Sequence, residues 1–179
     1  MVRALVIASF GTSVPAARAG ITAVERALSD AAPGFRWVRA FTSPAVRRIL
    51  AERGEEIPSL SQALERLREE GVGQVVVQPT HLLRGDEYRR LRAEAEALAG
   101  GFRLLTVGRP LLADSGDIPR FARRLCAACP EADGEAAVFM GHGTGGAADL
   151  VYPALQDAIE REGREDLCVG AMRGRPGLE

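Results

Sequence analysis

Cysteine is too sparse in this sequence to staple a fold. Three thiols in 179 residues lay out no disulfide framework. Cys126 and Cys129 form a C-x-x-C, but inside DIPRFARRLCAACP, a segment the pattern predicts as helix. There they share a face with Phe121, Ala122 and Leu125, so buried thiols are expected, with redox or zinc chemistry the lesser alternative. Aromatics are only 5%, so the core must come mainly from Ala, Leu and Val. No sign of charge dominates: the net charge is −1 with 26% charged residues. That gives no bulk basic signal for nucleic acid or a membrane surface. No run approaches the roughly 18 apolar residues of a membrane span. ALVIASF is too short for a signal sequence and leads straight into a Gly-Thr-Ser turn, so it reads as a first strand. Neither the G-x-x-x-x-G-K phosphate loop nor the G-x-G-x-x-G dinucleotide fingerprint occurs, so no nucleotide is expected. The expectation is a cytoplasmic globular protein with no nucleic-acid and no membrane partner.

What the chain does contain is organised around VVVQPTHLLRGDEY, residues 75–88. The β-branched run is too short for a helix and reads as a buried parallel strand. His81 follows at its carboxyl end, then a loop containing glycine, then Asp86 and Glu87 opening a helix. Ligands of open α/β sheets bind outside the carboxyl ends of the strands. A histidine and a carboxylate six residues apart there suit metal or acid/base chemistry. The plainer alternatives are a helix cap at Asp86, a dipole partner at Glu87 and a carbonyl-bonded His81.

Taken in order, the pattern predicts strands at Ala4–Phe10, Phe35–Phe41, Val75–Gln78 and Arg103–Val107. Helices are predicted between them. Val14–Ala32 presents Ala17, Ile21, Val24 and Leu28 on one face. A second helix starts with Ser43 as N-cap and Pro44 in its first turn. A third starts with a Ser59/Gln62 capping box. A fourth runs Glu87–Ala99. Strands alternating with helices give an α/β fold, a parallel four-stranded sheet flanked by helices. This domain is expected to span residues 1–113. Residues 114–179 then supply a linking helix and a partial second domain.

The second domain repeats the first. AAVFMGHGTG at 136–145 aligns with ALVIASFGTS at 4–13: an apolar strand, then Gly-Thr and a small residue. A helix over Ala147–Gly163 and a strand over Leu167–Ala171 follow, with a turn at Pro176. The pattern reads as an internal duplication. The second half is expected to be incomplete, lacking a counterpart of residues 75–88. Its unpaired edge and exposed apolar face are liabilities, so the expectation is either a shortened form of a longer protein or pairing with another copy of the chain.

His142, in Met-Gly-His-Gly-Thr, is the second candidate for chemistry. Flanking glycines let a ligand approach its ring closely. The duplicated turn holds Phe10 there, so the turn itself does not demand histidine. The backbone amides of Phe10, Gly11, Thr12 and Ser13, and of Gly143, Thr144 and Gly145, could cradle anionic groups. Arg84, Arg89 and Arg90 flank the His81–Glu87 loop and could hold carboxylates, although arginines on an exposed helix are usually just solvated. If the two halves face each other, His81, Glu87 and His142 line one cleft.

LVIASFGTS, RAFTSP, VVVQPTHLLRGDEY, VGRPLL and VFMGHGT occur in the order and spacing found in the anaerobic sirohydrochlorin cobaltochelatases of cobalamin biosynthesis, the CbiK type of class II chelatase. The chain resembles that family over essentially its whole length. The resemblance implies the chelatase fold, two similar α/β domains with the active site between them. It implies insertion of Co2+, the substrate metal, into the tetrapyrrole sirohydrochlorin without a nucleotide. By position, His142 matches the family's metal-binding histidine and proton acceptor. Glu87 matches its carboxylate near the metal, and His81 a histidine of the same motif, so His142, Glu87 and His81 are the expected metal set. Phe10–Ser13, Arg84, Gly143 and Thr144 are the expected substrate contacts. The family's further metal histidine belongs to the second-half counterpart of the His81–Glu87 loop, which this sequence does not include. The alternatives are an iron or nickel chelatase of the same class, or a partner-dependent tetrapyrrole- or metal-binding remnant without catalysis.

Overall fold

The computed structural model describes residues 2–131, 134–144 and 146–173. The expected turn at Pro176 and the amide of Gly145 lie outside them. The elements run β1 (Arg3–Ser9), α1 (Pro15–Asp30), β2 (Arg36–Phe41), α2 (Pro44–Glu52), α3 (Leu60–Glu69), β3 (Gln74–Pro79), α4 (Asp86–Ala97), β4 (Leu104–Val107), α5 (Asp117–Ala128), β5 (Ala137–Gly141), α6 (Val151–Arg161) and β6 (Leu167–Ala171). Two compact units result. The first holds residues 1–81 and 87–110; the second holds residues 82–86 and 111–179.

In the first unit four parallel strands are ordered β2-β1-β3-β4. Alternate side chains of each strand serve opposite faces. Ala4, Val6 and Ala8 of β1 and Val75 and Val77 of β3 meet Leu60, Ala63, Leu64 and Leu67 of α3 and Leu91 and Ala95 of α4. On β2, Ala40 joins this core while its neighbour Phe41 packs with Leu50, Ile57, Ile21 and Val46. The central strand β1 is therefore buried on both faces, as a parallel sheet under helices requires, while the edge strands β2 and β4 keep exposed positions. The caps form where the residue types place them. Ser43 Oγ accepts the Val46 amide at 3.3 Å, and Ser59 and Gln62 close a reciprocal capping box.

Helix α1 departs from the expected apolar face. Ala17 is exposed and Val24 is 47% exposed, whereas Glu25 is 1% exposed. The reason is electrostatic. Arg39 of β2 donates its Nε to Glu25 Oε1 at 2.7 Å and makes a second, shorter contact to the other carboxylate oxygen. A buried carboxylate persists only when paired and hydrogen-bonded, and here the pair sets the rotation of the helix.

The second unit pairs β5 with β6 in parallel. Tyr152, Leu155, Ala158 and Ile159 of α6, Ala122 of α5 and Leu167, Val169 and Ala171 of β6 form its core. Leu83 joins them through a parallel bridge to Leu112. Cys126 and Cys129 are unpaired thiols packed against this core. Val138 and Met140 of β5 remain 59% and 44% exposed on the opposite face. The expected helix from Ala147 is a 3-10 turn over Ala147–Leu150 followed by α6. A continuous helix would bury Pro153 in its interior, where it has no N–H to donate; starting at Val151 puts it in the first turn.

Candidate functional site

Hydrogen bonds stitch the strand tips of the first unit together. The Thr42 amide donates to Ser9 at 2.8 Å, the Thr80 amide to Ala8 at 3.0 Å and the Gly108 amide to Val77 at 2.8 Å. Thr80 Oγ1 also bonds Ser9 Oγ at 3.0 Å. Beyond β1, Gly11 turns with φ +88°, and a side chain there would overlap the buried ring of Phe41. Only glycine fits such a position without strain. Phe10 projects 51% exposed. Thr12 Oγ1 accepts the Val14 amide at 3.1 Å, and the Ser13 carbonyl accepts from Arg53 at 2.7 Å. Among the described residues no side chain takes the amides of Gly11 or Thr12, so the expected anion cradle is open in this turn.

His81 follows Thr80 at the tip of β3. Both of its ring nitrogens are buried and without a hydrogen-bond partner among the described residues. Burial holds its imidazole below the usual value near 6.5, while the Glu87 carboxylate pulls the other way. The ring is therefore a neutral imidazole beside a carboxylate. Glu87 is 42% exposed at the start of α4 and pairs with Arg90 at 3.1 Å. Tyr88 turns inward and donates to the Gly108 carbonyl at 3.2 Å. Arg84, in the second unit, donates its Nε to the Ala113 carbonyl at 3.0 Å and pairs with Asp114 at 3.4 Å. Its guanidinium, expected to hold substrate carboxylates, already has partners within the protein.

The second unit carries the same turn as the first. The Met172 amide donates to Gly141 at 2.9 Å and the Arg173 amide to His142 at 3.1 Å, as Thr42 and Ser43 do to Ser9 and Phe10. Gly143 has φ +75°, as Gly11 is left-handed. Thr144 Oγ1 accepts the Gly146 amide at 3.1 Å, as Thr12 accepts that of Val14. His142 stands where Phe10 stands. It is exposed, and its imidazole makes no hydrogen bond or ion pair among the described residues.

Two partners here were not expected. The Gly143 amide donates to Tyr152 Oη at 3.2 Å. The Thr144 amide and hydroxyl both donate to Asp149 Oδ1, at 2.7 and 2.9 Å. These amides therefore do not serve as the anion cradle expected of Gly143 and Thr144, because internal acceptors occupy them. Nothing in local periodicity flags Asp149 or Tyr152. The available signal was that both tyrosines of the chain sit among apolar helix positions, where a buried hydroxyl must find a partner.

Among the described residues no three His, Cys, Asp or Glu side chains gather as a metal cluster. The expected metal set divides between the units: His81 and Glu87 lie in the first, His142 in the second. No helix among the described residues is long and apolar enough to cross a membrane.

Comparison with known proteins places the whole chain. The family model described as cobalt chelatase (CbiK) matches residues 3–179. The sirohydrochlorin cobaltochelatase CbiKC of Nitratidesulfovibrio vulgaris is 36% identical over 183 residues, covering 99% of this chain and 64% of the relative. The sirohydrochlorin cobaltochelatase of Salmonella typhimurium is 35% identical over 182 residues, covering 100% of this chain and 69% of the relative. The chain thus spans about two thirds of the length of these relatives. A crystal structure of a CbiX protein of cobalamin (vitamin B12) biosynthesis from Marinobacter aquaeolei shares the fold, with a TM-score of 0.50 at 18% identity over 72% of this chain and 92% of that one. Matched by the family model from residue 3 to residue 179 and by relatives above one-third identity along its length, the chain belongs to the cobalt chelatase (CbiK) family.

Proposed function

We propose that the protein is a metal chelatase that inserts Co2+ into sirohydrochlorin, with His142 as proton acceptor and metal ligand and Glu87 as the assisting carboxylate. The supporting observation is the imidazole of His142. It is exposed at a strand tip and without a partner among the described residues, on a backbone fixed by hydrogen bonds on both sides. It also occupies a turn position that its sister copy fills with phenylalanine.

The chemistry asks for such a group. Insertion forms four metal–nitrogen bonds and releases two pyrrole protons for each divalent ion taken up. Neutral imidazole suits a first-row divalent ion, and a carboxylate supplements it. His142 accepts a pyrrole proton while its lone pair is free, and Glu87 offers an oxygen donor and a second proton acceptor. His81, neutral by burial beside Glu87, joins the metal set only once its ring nitrogens, buried in this structure, are opened to the ion. The tetrapyrrole's carboxylates find donors in the open amides of Gly11 and Thr12. Phe10, exposed in the same turn, offers an apolar contact to the macrocycle. The affinity order of nitrogen and oxygen sites does not by itself separate cobalt from iron or nickel, so the metal is assigned from the family.

The test is Co2+ insertion into sirohydrochlorin followed by absorbance, with His142→Ala alongside. Turnover by the wild type and loss of about 10²-fold or more in the variant is the expected result. Unchanged turnover in the variant removes His142 from the mechanism. Binding of sirohydrochlorin with no turnover would replace the catalytic reading with a partner-dependent binding module. Faster insertion of Fe2+ or Ni2+ would reassign the metal.

A further inference from the structure

The turn that carries His142 has its amides tied to side chains, whereas in its sister copy side chains reach the carbonyls instead, Arg18 at Thr12 and Arg53 at Ser13. Both copies share the strand-tip bonds, the left-handed glycine and the threonine whose hydroxyl accepts an amide two residues on. The second copy adds two anchors. Tyr152, 5% exposed, accepts the Gly143 amide at 3.2 Å. Asp149, 7% exposed, takes both the amide and the hydroxyl of Thr144 on one oxygen, at 2.7 and 2.9 Å. Among the described residues the corresponding amides of Gly11 and Thr12 meet no side chain.

The first copy closes with its amides open, so the turn does not require side-chain acceptors at those amides. Burying a carboxylate is unfavourable unless hydrogen bonds compensate, yet the fold does so beside the histidine. The Gly141 and Gly143 positions are equally constrained. A side chain at Gly141 would overlap the Tyr152 ring, and one at Gly143 would overlap the Arg173 carbonyl. Tyr152 therefore lies packed under the turn, with its hydroxyl aimed at the backbone just past His142. Held on both sides, the peptide fixes the point from which the imidazole projects.

We propose that Asp149 and Tyr152 are positioning residues for His142, fixing the Gly-His-Gly-Thr turn so that the imidazole is presented in one orientation to the incoming ion and macrocycle. The inference rests on the assignment of His142 as proton acceptor. Its physical content is that catalysis by a positioned base depends steeply on geometry, where a displacement near 1 Å can cost about 10²-fold.

The wild-type chain supplies one test. Amide hydrogen exchange should be slower at Gly143 and Thr144 than at Gly11 and Thr12; equal exchange in the two turns overturns the proposal. The variants Tyr152→Phe and Asp149→Asn supply the other. The chain has two histidines, so 15N-histidine labelling gives two ring systems, and His81 in the first unit serves as the internal control. The expected result is a shifted or broadened His142 signal with His81 unmoved. The kcat for cobalt insertion should fall about tenfold to a hundredfold with KM for sirohydrochlorin held within about twofold. An unmoved His142 signal, or a loss confined to KM, overturns the proposal. If the wild type inserts no metal, the chelatase reading fails, while the exchange and the His142 signal still decide whether the anchors hold the ring.

Discussion

Phe10 and His142 occupy the same place in two copies of one turn. The carbonyl of each accepts an amide from the exit of the neighbouring strand, at 3.3 Å from Ser43 and 3.1 Å from Arg173. Each is followed by a left-handed glycine. The backbone therefore treats an aromatic hydrocarbon and an imidazole alike, and the difference between them is chemical.

His142→Phe should then leave the fold intact while ending catalysis. His142 is exposed and its ring has no internal partner among the described residues, so the stability change should stay within about 0.5 kcal/mol, read by urea denaturation. Cobalt insertion should fall by about 10²-fold or more. A variant that keeps its activity, or one that unfolds, contradicts this account of the turn.

Glycine, in contrast, is required by both turns. At Gly143 an alanine would sit at φ +75° and overlap the Arg173 carbonyl, and at Gly11 it would sit at φ +88° against the Phe41 ring. Each substitution should cost about 2 kcal/mol or more. Gly20→Ala is the control, since nothing lies within 4 Å of a side chain there and helix propensity favours it by about 0.5–1 kcal/mol. Thermal melts of the three variants check the order; a neutral Gly143→Ala would contradict the described turn.

Local patterns carried much of this architecture. The strand at Leu167–Ala171 and the caps at Ser43 and Ser59 could be read directly, because each depends on residues within a few positions of one another. The duplication was legible for the same reason: strand, glycine and threonine recur in one short block. What escaped reading depends on partners far along the chain. Leu83 pairs with Leu112, so residues 82–86 pack in the second unit although both of their flanks belong to the first. Glu25 lies off the apolar stripe of Ala17, Ile21, Val24 and Leu28, and its burial depends on Arg39 of β2. Asp149 and Tyr152 bond backbone amides, which have no residue type to signal them. His81 and Glu87 were visible as chemistry, but the burial of both ring nitrogens comes from packing that no motif encodes.

That burial makes stability depend on pH. Native His81 binds its proton less readily than the unfolded chain, whose imidazole titrates near 6.5. Above that value both states are neutral and the residue contributes no slope. As pH falls below it, the unfolded state takes up a proton that the native state resists, so stability declines. Urea denaturation at pH 7.5 and 5.5 should show wild type losing more stability than His81→Gln, whose amide does not titrate. Equal losses in the two proteins would mean that the ring is not held neutral.

Arg164 closes the second unit in a way that lysine cannot reproduce. Its side chain is 8% exposed. It donates Nε and one terminal nitrogen to the two oxygens of Asp166, at 2.7 and 2.6 Å, and the other terminal nitrogen to the carbonyls of Cys126 and Cys129, at 2.9 and 2.7 Å. One planar fork thus ties the end of α5 to the residue that leads into β6. The Cys126 and Cys129 carbonyls, near the end of that helix, gain a cation they otherwise lack. An ammonium on a flexible stem offers no matching bidentate geometry. Arg164→Lys should therefore lower the unfolding midpoint, and Arg164→Met should lower it further because it also removes the cation facing Asp166. The loss should appear as faster amide exchange in α5 and β6, with β1 and β3 of the first unit unchanged. A lysine variant as stable as the wild type would show that charge alone, without the fork, holds this corner of the fold.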